Sequence, residues 1–78
     1  MITENELKMI IGSNIKKYRK QKGLTQKALA KSADITTPLI GALESPNLCQ
    51  GISIYILYKI SKVLNVTIDK FFKDANFN

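Results

Sequence analysis

The sequence predicts an all-α fold, a compact set of five helices in a single domain spanning residues 1–78. Three observations carry that prediction. Apolar residues recur at helical spacing, three or four apart, along most of the chain. A Thr or Ser stands just before each such run, where its side-chain oxygen can accept from a free backbone N–H at a helix start. The one stretch that alternates as a strand does, Ile52 to Tyr58, has no second strand to pair with.

Thr3 followed by Glu6 has capping-box spacing and opens the first helix. Leu7, Ile10, Ile11, Ile15 and Tyr18 then form one apolar stripe. Gly12 and Ser13 interrupt it, which leaves two readings: a bend there, or a helix that begins near Ser13. Gly23 ends the helix, with Lys20 and Lys22 in the last turn, where cations suit the helix dipole. Thr25 caps a second helix, Gln26 to about Ser32, that buries Leu29 and Ala30. Ala33-Asp34-Ile35 reads as a tight turn.

Thr36 caps a third helix ending at Leu43 or Glu44, with Pro38 in its first turn, where a missing N–H costs nothing. Ser45-Pro46-Asn47 and Gln50-Gly51 mark a loop. Beyond it, Leu57, Ile60, Ser61 and Leu64 continue at helical spacing behind Ser53, a ready N-cap, so a fourth helix is expected from Ile54 to Leu64. Thr67 caps a short fifth helix carrying Ile68, Phe71 and Phe72, and the tail from Asp74 to Asn78 is expected to fray. The expected core is Ile15, Leu29, Ile40, Leu43, Leu57, Ile60 and Leu64.

Composition excludes several classes of function. The 78 residues hold no histidine, so the commonest general base and metal ligand is missing. The single cysteine, Cys49, gives no disulfide framework and no zinc site, and it reads as an inert thiol. The six acids, Glu4, Glu6, Asp34, Glu44, Asp69 and Asp74, form no cluster beyond the pair at the first helix start. No catalytic residue, no metal and no cofactor is therefore expected. No apolar run reaches the ~20 residues of a membrane span, and nothing marks export.

Charge points instead to a binding protein. From Leu7 to Ala33 there are eight bases and no acid. A segment of one sign in a folded domain suits an anionic partner such as nucleic acid, though it also suits a solvated helix face. Two short helices joined by a tight turn, with helices on either side, make a helix-turn-helix arrangement.

The residues within it are specific. Gly23-Leu24-Thr25-Gln26 with Leu29-Ala30, then Ile35-Thr36 with Ile40 and Glu44, closely resemble the Cro/phage-repressor-type, or XRE, family. Leu57 to Phe72 looks like that family's last two helices, so the resemblance covers residues 12 to 72. It implies a lambda-repressor-like DNA-binding domain acting on double-stranded DNA in the bacterial cytoplasm, nucleoid-associated, as a homodimer without a small-molecule ligand.

By the same resemblance, Thr25 and Gln26 bond the DNA backbone at the start of the second helix, where free amides and the positive dipole end favour phosphate. Lys27, Thr36, Ser45 and Asn47 are the other expected phosphate contacts. Arg19 and Glu44 match a pair that links the first helix to the end of the recognition helix. The base-facing positions are Thr37, Pro38, Gly41 and Ala42, and here the chain departs from the family. None of these four offers the bidentate fork worth about 1–3 kcal/mol of base discrimination. Methyl contacts and DNA shape are left as the means of selection.

On the fourth helix, Ile54, Leu57, Ser61 and Leu64 are expected inward. Ile56, Ile60 and Val63 adjoin Phe71 and Phe72 as an outward apolar stripe suited to a contact between two copies. The function expected first is a sequence-specific DNA-binding regulator occupying an operator. A protein-interaction module built on the same scaffold is the second, and an enzyme is a distant third.

Overall fold

A computed structural model describes residues 2–45 and 52–73. The expectations for Asn47, Cys49 and the tail from Asp74 concern residues outside these. Among the described residues, four α-helices, α1 (Glu4–Gln21), α2 (Gln26–Ser32), α3 (Thr37–Glu44) and α4 (Ile54–Leu64), are followed by one 3-10 turn, Ile68–Phe72. There is no strand among the described residues, and Ile52 to Tyr58 feeds a helix. The fold is all-α as expected, with the fifth helix realised as a 3-10 turn.

Each boundary has a local cause. The Thr3 hydroxyl accepts from the Glu6 N–H at 3.1 Å while the Thr3 N–H donates to the Glu6 carboxylate at 3.0 Å, so both halves of the capping box are made. Thr25 accepts from the Ala28 N–H at 3.0 Å, and Thr36 from the Leu39 N–H at 3.3 Å. Ser53 accepts from Tyr55 and Ile56 at the head of α4. Among the described residues three have a positive φ: Gly23 (φ 72°) ends α1, Asp34 (φ 57°) makes the turn between α2 and α3, and Asn65 (φ 57°) ends α4.

Thr67 departs from its expected role. Its hydroxyl donates to the Asp69 carboxylate and makes no cap bond to the backbone.

Of the two readings of Gly12, the late start does not occur: α1 runs unbroken from Glu4 to Gln21. Gly12 is buried, and a β-carbon there would lie 2.1 Å from the Leu43 carbonyl oxygen. The glycine is a gap through which the α1 backbone meets the end of α3.

All seven expected core residues are buried, and Ile11, Ala30, Ala33 and Phe71 join them. Fully burying one such aliphatic or aromatic side chain stabilises a fold by about 1.5–3 kcal/mol. The 3-10 turn is drawn into this core by Phe71, and the Asn14 amide of α1 donates to the Phe71 carbonyl at 2.8 Å and to that of Lys73.

Three expectations for α4 and the turn are overturned. Ile60 and Phe71, assigned to a contact between copies, are 0% exposed and belong to the core of one chain. Ile54, expected inward, is 77% exposed at the first position of α4, although it lies on nearly the same side of the helix as the buried Leu57. The exposed face of α4 is therefore Ile54, Tyr55 and Tyr58, while Ile56, Val63 and Phe72 are half-buried against the core.

Candidate nucleic-acid interface

The site is built on two short helices that cannot stand alone. α2 has seven residues and α3 eight, lengths at which an isolated helix is marginal in water. Each is held by a few apolar residues, Leu29 and Ala30 on α2 and Ile40 and Leu43 on α3, all buried. What remains for a ligand is the opposite surface and the two N-termini.

At the head of α2, Thr25 is exposed and Gln26 half-buried. At the head of α3, Thr36, Thr37 and Pro38 are exposed, while Gly41 and Ala42 are half-buried further along. Both cap hydroxyls use a lone pair on their own helix, which leaves the O–H of Thr25 and of Thr36 able to donate outward. Lys27 is exposed in the first turn of α2, and Lys22 is exposed just before it. Ser45 caps the C-terminus of α3, its N–H donating to the Ala42 carbonyl at 3.2 Å.

Beneath this surface lies a polar network. Arg19 of α1 grips the Glu44 carboxylate with both arms of its fork, Nε to Oε2 at 2.7 Å and Nη2 to Oε1 at 3.0 Å. Its remaining Nη1 donates to the Leu24 carbonyl at 2.7 Å, in the segment leading into α2. The Gln26 amide donates to Glu44 Oε1 at 3.1 Å. One carboxylate thus ties together α1, the start of α2 and the end of α3. The Arg19 and Glu44 side chains are 9% and 3% exposed, and the Glu44 hydrogen bonds raise the Arg19 pKa further above its ordinary value. With its nitrogens engaged inside the protein, Arg19 points into this network and not outward.

Three features here were missed by sequence reasoning. Gln26 was expected to face the ligand alone, yet it is also a partner of Glu44. The Lys59 ammonium of α4 reaches the Asp34 carbonyl in the turn at 3.1 Å. Asn14 binds the 3-10 turn. A glycine interrupting an apolar stripe is the one local signal that announced a close approach, at Gly12. The other three are tertiary contacts between polar residues, which no spacing rule encodes.

Among the described residues there is no metal-binding cluster of acids and cysteine, and no helix long and apolar enough to cross a membrane. The Lys8 ammonium pairs with Glu4 at 3.1 Å one turn away on α1. Lys16, Lys17, Lys20, Lys22, Lys27 and Lys31 are all exposed.

Comparison with known proteins agrees with this geometry. The model of the helix-turn-helix family HTH_3 matches residues 15–71. The HTH-type transcriptional regulator SinR of Bacillus subtilis is 39% identical over 59 residues, which cover 76% of this chain and 52% of SinR. The chain therefore spans about half the length of that curated relative.

Among solved structures, SinR, the master regulator for biofilm formation, in complex with DNA superposes with a TM-score of 0.74 at 36% identity, covering 81% of this chain and 98% of that one. The N-terminal DNA-binding domain of SinR from Bacillus subtilis gives a TM-score of 0.77 at 34% identity over 87% of this chain and 97% of that one. The restriction-modification controller protein C.AhdI from Aeromonas hydrophila shares the fold, with a TM-score of 0.76 at 22% identity over 83% of this chain and 96% of that one. With the four-helix core, the Arg19–Glu44 pair and a family match over most of its length, the chain belongs to the helix-turn-helix family HTH_3.

Proposed function

We propose that this chain is a DNA-binding transcriptional regulator, or the DNA-binding unit of one, acting without catalysis in the bacterial cytoplasm by occupying operator DNA. The observation that supports this best is the pairing of α2 and α3, whose exposed N-termini carry Thr25, Thr36 and Thr37 beside a segment, Leu7 to Ala33, that holds eight bases and no acid. In the relative SinR, a structure with DNA is known for the same fold at 36% identity.

In this reading Thr25, Gln26, Lys27, Thr36, Ser45 and Asn47 meet phosphates. Thr37 and Pro38 meet base edges at the head of α3, and the small side chains of Gly41 and Ala42 let the helix lie close to the groove floor. Selectivity then rests on thymine methyl contacts and on the deformability of the duplex, since none of Thr37, Pro38, Gly41 and Ala42 carries a fork-shaped donor. The proposed active form is a homodimer, as two-fold operators require. Its contact uses the exposed α4 residues Ile54, Tyr55 and Tyr58 with the half-buried Ile56, Val63 and Phe72 at their edge.

The test is a salt titration of binding to duplex DNA. Displacement of counterions by several lysines predicts a steep fall of log affinity with log salt, about 0.9 per phosphate contacted. No binding, or binding indifferent to salt, would overturn the reading. It would favour a protein-interaction module, the second reading, which the lack of charged or amide side chains on exposed α3 and the bare aromatics of α4 support.

A further inference from the structure

Lys59 lies outside the helix-turn-helix pair, half-buried on α4, yet it reaches into the pair. Its ammonium stands 3.1 Å from the Asp34 carbonyl oxygen and 5.0 Å from the centre of the Tyr55 ring, one helical turn back on α4. The ring face attracts the cation and holds the flexible stem in one orientation.

Asp34 is the residue that turns the chain from α2 to α3, with φ 57°. A side chain in that left-handed region costs about 1–2 kcal/mol, less for Asp than for most residues. The backbone around it is only partly tied down. The Asp34 N–H donates to the Lys31 carbonyl at 3.3 Å, and the Ile35 N–H to the Ala30 carbonyl at 2.9 Å. Both bonds look back to α2. Among the described residues, the donor that meets the Asp34 carbonyl comes from α4, a charged one, which makes the stronger kind of hydrogen bond.

We propose that Lys59 is a positioning residue for the DNA surface: it holds the Asp34 carbonyl, and so the angle at which α3 leaves α2, without itself touching nucleic acid. The proposed DNA contacts sit on both sides of that turn, the phosphate-facing Thr25 and Gln26 before it and the phosphate-facing Thr36 and base-facing Thr37 after it. Hydrogen bonds to phosphate tolerate only a few tenths of an ångström, so a small rotation at Asp34 places one set out of reach when the other is engaged. The assignment rests on the DNA reading above.

The experiment compares the wild-type chain with Lys59→Met, which keeps the stem and removes the charge, Lys59→Arg, which can still donate, and Lys27→Ala, a proposed phosphate contact. The probe is a duplex selected by the wild-type chain from a random pool, titrated across a salt series. Lys59→Met is expected to lower affinity about two- to tenfold at one salt concentration, as the loss of one hydrogen bond would. The slope of log affinity against log salt should stay unchanged, and Lys59→Arg should restore most of the loss. Lys27→Ala should instead reduce the slope by about 1.

Unchanged affinity in Lys59→Met overturns the proposal. So does a slope reduced as in Lys27→Ala, which would make Lys59 a phosphate ligand itself. If the wild-type chain binds no duplex, it is the DNA reading that fails. The hold on the turn is then read from hydrogen exchange of the Ile35 amide, which Lys59→Met should speed while core amides such as Leu29 keep their rate. An Ile35 rate indifferent to Lys59→Met removes the proposed hold altogether.

Discussion

Gly12 and Leu43 meet backbone to backbone, since a β-carbon on Gly12 would stand 2.1 Å from the Leu43 carbonyl oxygen. In a helix interior, alanine is better than glycine by about 1 kcal/mol, so propensity alone says that Gly12→Ala stabilises. The close approach predicts the opposite sign. The neighbour is backbone at the end of α3 and cannot swing aside, so overpacking should cost about 1–3 kcal/mol net. Chemical denaturation of Gly12→Ala measures this, and a midpoint above that of the wild-type chain would refute the contact.

Arg19 and Glu44 should behave as a pair that is hard to halve and easy to replace. Arg19→Met leaves a carboxylate 3% exposed without its cation, and Glu44→Leu strands the guanidinium. Each single change is expected to cost about 3–5 kcal/mol, whereas the double replacement by apolar residues should recover most of that. Additive losses in a double-mutant cycle would show that the two side chains do not depend on each other.

Gln26→Ala should weaken duplex binding by a similar factor on every sequence, because a phosphate contact carries no sequence information. It should hardly alter stability, since its bond to Glu44 at 3.1 Å is one of three that the carboxylate accepts. Binding assays on a selected and a mixed duplex decide the matter, and a loss confined to the selected duplex would make Gln26 a reader of bases.

Thr37→Ala should relax selectivity more than Lys27→Ala does. Thr37 is exposed at the head of α3, and its methyl and hydroxyl are among the few handles that this helix offers a base. Repeating the selection from a random pool with each variant shows which one blurs the preferred sequence. An intact preference in Thr37→Ala would mean that α3 is not the reader.

Acid should loosen the head of α1 before the rest. The hydrogen bonds from Thr3 hold the Glu6 carboxyl below its ordinary pKa, the backbone N–H contributing more than the hydroxyl. A depressed carboxylate pKa means that the capping box stabilises fully above the unfolded value and loses its contribution as pH falls through the lower, folded one. A carbon-detected titration of Glu6 beside Thr3 amide exchange should show both changing together. A Glu6 pKa at or above the ordinary glutamate value would contradict the box.

Most of the fold was legible from apolar spacing and caps because both are local. Thr25, Thr36 and Ser53 each cap the helix expected of them, and Ile15, Leu29, Ile40 and Leu64 are buried as their spacing requires. The outward face of α4 was not legible. Ile52, Ile54 and Ile56 alternate, so a two-residue and a three-to-four-residue reading of one stretch send different isoleucines inward. Ile60 reads both as core and as the edge of the outward stripe, and Phe71 reads as surface because nothing local reveals that the 3-10 turn folds back on α1, where Asn14 holds it. In the candidate interface, the positions of Thr25 and Thr36 followed from their helices, whereas the tie between Gln26 and Glu44 needs three elements in place at once.

The commitment of Arg19 to Glu44 has a chemical consequence for the whole surface. The chain has twelve cationic side chains, and Arg19 is the sole arginine among them. With that guanidinium enclosed, every cation the protein can present outward is a primary amine. Such a surface attracts polyanions as a set of point charges that salt displaces readily, and it cannot grip a guanine or a phosphate with a planar fork. It is also open to amine chemistry. Acylation of lysine ε-amino groups would strip the positive field while leaving the buried ion pair that holds the helices together untouched.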